Sequence, residues 1–571
     1  MLKRCGLDAV FFYGLAKRPV YLYLDADTVE IKDAENLWGR DIIETEKHLK
    51  EIHGKNAQVA CIGPAGEKQS LLAGVANDGG RYAARSGLGA VMGAKRLKAV
   101  VAYGKKRVGV VDKPRIKELS QGFRQELQTG SKGIRRLLGD RLLGFTGWFT
   151  RKSPVYTRQP AELFRQILSK FGTSGLTALS AESGDSPIKN WGGVGFLDFP
   201  MKRSQKIGAE AVIRHETKKY GCYSCPLRCG GIVQVNTGPD STIEMHKPEY
   251  ETICAFGALL LNEDLNAIFR INDLVNRGGL DSISCGAVVA FAIECYENGI
   301  LTRDDTDGLD LTWGNASAII GLTEMIIQRE GLGDILADGV KVAAEKIGRG
   351  AEQYAVHCGG VEPPMHDPKF DPGFGPIYHC ESAPGRHTTA SYQYLDLMRL
   401  EKQFKRAKKI PGLTTRKQRH AYDHTGEALA VNCYYKMLID GAGACLFGAS
   451  VDGPLPLCDW INAAAGWNFT PDQYLEIGER IQQLRHAFNI REGLNPYQDF
   501  RPHPRIYGQP PLTRGPAKDI TIDIDTMARS FYDAQHWDLE TGKPDLGHLQ
   551  TLGLFEIIEA FYPDANRSED Y

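Results

Sequence analysis

The sequence predicts an α+β protein with a β-rich N-terminal part followed by two mainly α-helical domains. Three observations carry this. Short β-branched and aromatic runs crowd the first hundred residues, helical periodicity dominates from about residue 113, and Pro/Gly-rich segments at 359–376 and 493–515 punctuate the second part. The boundaries expected are 1–112, 113–355 and 356–571. A chain of 571 residues with 42% apolar residues can bury several cores.

Taken in order, Ala9–Tyr13 and Val20–Leu24 read as strands separated by a turn-prone Ala-Lys-Arg-Pro segment. Val29–Lys32, Val59–Ile62 and Leu97–Ala102 continue the β pattern. Ala161–Phe171, Asp264–Arg277, Ala287–Asn298 and Ser317–Arg329 have helical spacing. The basic stretch Lys402–Lys409, resumed at Arg416–Arg419, reads as a solvated helix face.

A formal net charge of −1 gives no footprint for nucleic acid or an anionic membrane. No apolar run has transmembrane length, and the N-terminus lacks a secretory h-region. Most of the thirteen cysteines sit singly in apolar settings, such as Cys254, Cys285 and Cys433. That pattern points to a reducing cytoplasm and buried thiols.

The chemistry-bearing motif is Cys222-Tyr-Ser-Cys225-Pro-Leu-Arg-Cys229, with Cys445 far downstream in Asp440-Gly-Ala-Gly443-Ala-Cys445. The C-x2-C-x3-C spacing can hold one corner of a [4Fe–4S] cluster, and a distant loop can give the fourth thiolate. A structural zinc site is the competing reading, but no second ligand pair of zinc spacing is present. Glycine-rich turns are the second signal. The run Asn77–Lys95 carries Arg81, Arg85, Gly87, Gly89, Gly93 and Lys95. It reads equally as a cradle for a phosphate or carboxylate and as a tight connection.

Together these motifs resemble the tungsten-containing aldehyde:ferredoxin oxidoreductase family. The resemblance rests on Arg85–Lys98, the cysteine run, Lys247-Pro-Glu249-Tyr-Glu251-Thr, Asn276–Asp281, Pro364-Met-His-Asp-Pro368, Asp440–Cys445 and Phe488–Asn495, with Trp537-Asp and Leu552-Gly-Leu554 in the tail. It implies a tungsten bis-pterin beside a [4Fe–4S] cluster, and makes the N-terminal part a pterin-binding base. Cys222, Cys225, Cys229 and Cys445 would bind the cluster. Arg85, Gly87, Gly89 and Lys95 would lie near the pterin phosphates. Asn276 and Asp281 would form one pterin loop, with Asn where the family has Asp, and Asp440 and Gly443 the other. Glu251 and His387 would stand beside metal and substrate as catalytic groups. Without the resemblance, Glu251 reads as a helix-start carboxylate in an ion pair and His387 as a loop histidine bonded to a carbonyl.

The implied reaction is oxidation of an aldehyde to a carboxylic acid. Electrons would pass to ferredoxin or an electron-transfer subunit, and a homodimer would be a compatible assembly. Cys358 opens an alternative, because a related subunit of class II benzoyl-CoA reductase has a cysteine on tungsten. A cluster-only electron-transfer subunit is a further alternative. His246 and Glu244 beside Glu249 are candidates for a second metal. Arg270–Asp273 stands where the family has an E-x-x-H iron motif and lacks both ligands, so no iron is expected there. Family chains begin earlier than Met1, which makes the base incomplete as the sequence stands and leaves an edge strand near Phe11–Tyr13 open.

Overall fold

The computed structural model describes residues 1–128, 137–153, 161–238, 241–407, 419–420, 422, 425–451 and 455–563. The N-terminal part is a six-stranded mixed sheet of order β2-β1-β6-β3-β4-β5. Its strands are β1 Val20–Leu24, β2 Val29–Asp33, β3 Gln58–Cys61, β4 Val75–Asn77, β5 Arg81–Ala83 and β6 Leu97–Ala102. β1 and β6 run parallel and the other neighbours antiparallel. Alternating residues Tyr21, Val59, Cys61, Ala99 and Val101 bury one face against the helix Ile42–His53. Asp41 caps that helix by accepting from Glu44 N at 2.8 Å.

The expected strand at Ala9–Tyr13 does not form. The chain ends a short helix at Cys5 with Gly6 at φ 85°, and residues 9–13 then pair with no strand. Strand propensity without a ladder partner leaves the segment irregular, with Phe11 and Tyr13 exposed.

The glycines after β5 serve close packing. Helix Leu88–Ala94 lies on the turn Pro64–Glu67. A Cβ on Gly89 would stand 2.6 Å from Gly74 O, and one on Gly93 1.8 Å from Gly66 O. Gly87 opens the helix at φ 65°.

The central core surrounds the helix Ser282–Glu297, which is apolar on every side and buried along most of its length. The expected helix at 287–298 therefore begins about a turn earlier, because Asp281 caps it through Ile283 N at 3.1 Å. Amphipathic helices Leu265–Gly278 and Ala316–Gln328 pack around it, with starts capped by Asp264 and Asn315. A second sheet interrupts the helical part: β7 Glu216–Tyr220, β8 Gly230–Gly238 and β9 Ser241–His246, all antiparallel. Sequence periodicity did not reveal it, since β7 is mostly charged and β8 begins with two glycines.

The C-terminal part packs helices Thr425–Gly441, Pro471–Arg491 and Ile524–Gln535 around two cores. Thr470 and Gln473 close a capping box on the longest of them. Within the basic stretch, residues 408–418 lie outside the described residues. Among the described residues no helix is long and apolar enough to cross a membrane.

Candidate functional site

One cavity of about 800 Å³ is lined by residues from all three parts of the chain. Arg81 and Arg85 come from the N-terminal part, Cys222, Cys229, Glu249, Glu251, Asn276 and Asp281 from the middle, and His366, Arg386, His387 and Cys445 from the last.

The cysteine loop hangs between β7 and β8, whose ends pair at Tyr220 and Gly230. Ser224 at φ 57° and Arg228 at φ 51° are non-glycine residues in the left-handed region, and they wind the loop back on itself. Gly172 admits the loop closely: a Cβ there would lie 2.4 Å from Cys229 O. Cys445 arrives from the loop after helix Thr425–Gly441, where Gly443 turns at φ 68°. The four thiols are near enough to act on one another's ionisation. Burial, then Glu249, push the Cys229 thiol up to about 12; Arg81 opposes this, and Cys445 and Cys225 add to it. Burial also raises Cys445, with Cys225 and Cys222 adding, while backbone N–H groups of Gly448 and Phe447 favour its thiolate. Four crowded thiols, with Cys229 and Cys445 held from ionising by burial, are the donor set that a polynuclear iron centre deprotonates on binding.

Across the cavity stands a carboxylate between two imidazoles. Glu251 begins the helix Tyr250–Phe256, and its Oε2 accepts from Met365 N at 2.8 Å. Its Oε1 is buried, accepts no hydrogen bond among the described residues, and lies 3.4 Å from both His366 Nε2 and His387 Nε2. Burial raises the Glu251 carboxyl, against the pull of His366. His366 is pinned by Asp185, whose Oδ2 is 2.9 Å from Nδ1, and its ring lies between Tyr250 and Phe374. Burial disfavours its charge, yet Asp185 and Glu251 prevail and hold it up at about 9. His387 goes the other way: burial, then the His366 cation and Arg85, keep it neutral. The site thus holds one imidazolium, one neutral imidazole and a strained carboxylate.

The His366 shift has a sign that can be tested. Its folded pKa exceeds the ordinary 6.5, so its stabilising contribution is complete below that value and vanishes as pH rises through about 9. Stability to urea should fall between pH 7 and 9.5 by up to roughly 3 kcal/mol. His366→Asn should flatten that slope, and an unchanged slope in the variant would remove His366 as its source.

Of the residues singled out from the sequence, Arg85, Asn276, Asp281, Glu251, His387, Cys222, Cys229 and Cys445 line the cavity. Cys225 lies behind them, half-buried against Leu168 and Leu227. Arg85 is committed to protein: Nη1 donates to Gly385 O at 2.6 Å, Nη2 donates to Glu362 O, and Nε is 3.3 Å from Asp281 Oδ2. Five others stand outside the lining. Gly87 and Gly89 serve backbone packing, and Lys95 donates to Gly14 O at 3.0 Å on the surface. Asp440 is held by Lys436 at 2.5 Å, and Gly443 shapes the loop that carries Cys445. Cys358 is fully buried in a small bridge with Val361 and Pro502 and does not line the cavity. Glu244 is exposed, while His246 faces the cavity with Nδ1 2.6 Å from Tyr220 OH. Sequence reasoning gave no role to His366, Asp185 or Arg386, and read Arg81 only as one charge of a possible anion cradle. His366 and Arg81 stood inside motifs already noted, whereas Asp185 lies 181 residues from its partner and no spacing could reveal it.

The cavity fits a large polar cofactor. Arg81 Nε and Nη2, Gln393 Nε2 and Glu251 Oε1 are buried in its wall with no hydrogen-bond partner among the described residues. Such orphans need an occupant to satisfy them.

Comparison with known proteins agrees. A family described as "Aldehyde ferredoxin oxidoreductase, N-terminal domain" matches residues 1–104, and "Aldehyde ferredoxin oxidoreductase, domains 2 & 3" matches 155–554. The chain is 34% identical to the tungsten-containing aldehyde ferredoxin oxidoreductase of Pyrococcus abyssi, over 98% of this chain and 83% of that protein. It is 30% identical to an aliphatic sulfonate oxidoreductase, WOR-like subunit, of Pyrococcus furiosus, over 97% of this chain and 81% of that one. Its fold is similar to a chain of the solved active site complex BamBC of benzoyl coenzyme A reductase in complex with 1,5 dienoyl-CoA. The TM-score there is 0.73 at 24% identity, over 99% of this chain and 84% of that one.

Proposed function

The chain belongs to the aldehyde ferredoxin oxidoreductase family, whose proteins carry tungstopterin and a [4Fe–4S] cluster, and from that premise we propose that this tungsten oxidoreductase converts an aldehyde to its carboxylic acid and delivers the electrons to ferredoxin. The observation that carries the reading is Glu251, with Oε1 unbonded and 3.4 Å from two histidines, one charged and one neutral, in the same cavity as three of the four cysteines.

A tungsten–pterin group would supply a two-electron acceptor, and a cluster, which Cys222, Cys225, Cys229 and Cys445 would hold, a one-electron relay. Gln393 carries a free donor that would meet the pterin, and Asn276 and Asp281 line the same cavity. The chain's own residues manage the protons. Glu251 takes a proton from water at Oε1, since burial makes its carboxylate a stronger base than one in solvent. Its Oε2 stays fixed on Met365 N, so the group does not swing as it changes charge. His387, neutral, offers a hydrogen bond to the carbonyl oxygen of the substrate. His366, charged and locked on Asp185, holds Glu251 in place by attraction. Tyr250, Phe374 and Tyr394 give the pocket an apolar rim suited to the body of an aldehyde.

The test is turnover of the holoenzyme with a panel of aldehydes and ferredoxin or a viologen dye, alongside tungsten and iron analysis. Acid formation with reduced acceptor supports the proposal. A fully metallated enzyme inert to every aldehyde overturns it. The ring-reduction alternative leaned on Cys358, which is buried and does not line the cavity; reduction of an aromatic coenzyme A thioester by the holoenzyme would favour it over aldehyde oxidation.

A further inference from the structure

Arg81 occupies a position that the proton chemistry does not use. It is the first residue of β5, and its guanidinium lies against the base of the cysteine loop. Its Cζ stands 4.9 Å from the ring centre of Tyr220. Its Nη2 sits where a Cβ on Gly230 would come within 2.5 Å. Tyr220 and Gly230 are the paired residues that close the loop bearing Cys222, Cys225 and Cys229. The cation is therefore packed onto the neck of that loop, and only glycine at 230 leaves it room.

Its surroundings hold it there. Nη1 is 3.2 Å from Glu249 Oε1, and the other carboxylate oxygen of Glu249 accepts from Thr173 Oγ1. Nε and Nη2 are buried and have no partner among the described residues. An ionised donor left unpaired in a buried place is costly, so the geometry anticipates an acceptor. The acceptors that a filled cysteine loop presents are sulfur atoms carrying negative charge.

Resting on the cluster reading given above, we infer that Arg81 sets the reduction potential of the iron–sulfur cluster, through its charge and its two free N–H donors, with Glu249 as the opposing weight. One-electron reduction adds one negative charge to the cluster. A fixed cation beside it stabilises the reduced form more than the oxidised form and raises the potential, and a fixed carboxylate lowers it. Arg81 is a positioning residue in this account, since it acts on turnover through the cluster.

The experiment is an EPR-monitored redox titration of the holoenzyme, with tungsten and iron measured on the same samples. Arg81→Met should lower the reduction equilibrium constant of the cluster by about tenfold, which for a one-electron couple is about 59 mV. Arg81→Lys keeps the charge but not the planar fork, and should recover part of the shift. Glu249→Gln should move the potential the opposite way. It also decides the matter if Arg81→Met assembles no cluster. Unmoved potentials in the Arg81→Met and Glu249→Gln variants overturn the inference, and so do shifts of one sign. Loss of pterin with the potential unmoved also overturns it, by assigning the free donors to the pterin alone. A wild type with tungsten but no cluster signal overturns the cluster reading itself, and the inference with it.

Discussion

Glu251→Gln is expected to lower aldehyde turnover by roughly two to four orders of magnitude, the usual worth of general acid–base catalysis. The substitution keeps volume and shape, and the amide oxygen can still accept from Met365 N, which now holds Oε2 at 2.8 Å. What disappears is the basic atom between the imidazoles. Loss of the carboxylate also removes one of the three anions that keep His366 protonated, with Asp185 and Asp371 remaining, so the pH profile should shift along with the rate. Tungsten and iron should remain at wild-type levels, because Glu251 is not among the groups assigned to hold either. An unimpaired Gln variant would take Glu251 out of the reaction. A variant that loses tungsten would show that the residue holds the metal site and is not a base.

Cys445→Ser and Cys225→Ser are each expected to abolish the low-temperature EPR signal of a reduced [4Fe–4S] centre and to reduce iron content. The two arrive from opposite directions: Cys225 from the loop between β7 and β8, Cys445 from a loop more than two hundred residues later. Serine is a poor thiolate substitute, and a four-iron cluster is bound by four ligands. Cys254→Ser is the informative control for thiol loss in general. It is fully buried beside Ser186 and Tyr250 and lies outside the cavity lining, so it should keep the signal. Retention of an unchanged signal in both loop variants would mean that other groups hold the iron.

Much of the fold was legible because local pattern and tertiary role agreed. β1 and β6 are apolar runs buried along most of their length, as strands inside a sheet should be, and Leu265–Gly278 carries both an apolar stripe and its cap. Two kinds of element escaped. Ala9–Tyr13 has strand composition but finds no ladder, and pairing is not encoded locally. β7 and β8 have weak strand composition and form because the cysteine loop joins them as a hairpin. At the site, the cysteines announce themselves by type and spacing, whereas Glu251 and His387 came only with the family resemblance. Gly87, Gly89 and Lys95 show the limit of that method. A glycine run that admits an anion and one that admits another backbone look alike in sequence, and here the backbone fills the space. Asp185 shows the complementary limit, since only the folded chain brings it to His366.

The Arg85 side chain binds the N-terminal sheet to Asp281 in the middle part and to the carbonyls of Glu362 and Gly385 in the last. Cavity walls drawn from three stretches of chain exist only while all three are docked, so whatever fills the cavity binds the native state and has nothing to bind in a partly opened one. Occupancy then adds RT ln(1 + [L]/Kd) to the stability of the whole molecule. A copy that misses its cofactor forgoes that increment, keeps buried donors unsatisfied, and spends more time open to proteases. Cofactor loading is therefore expected to slow proteolysis of this protein, which limited digestion of loaded and unloaded samples would measure.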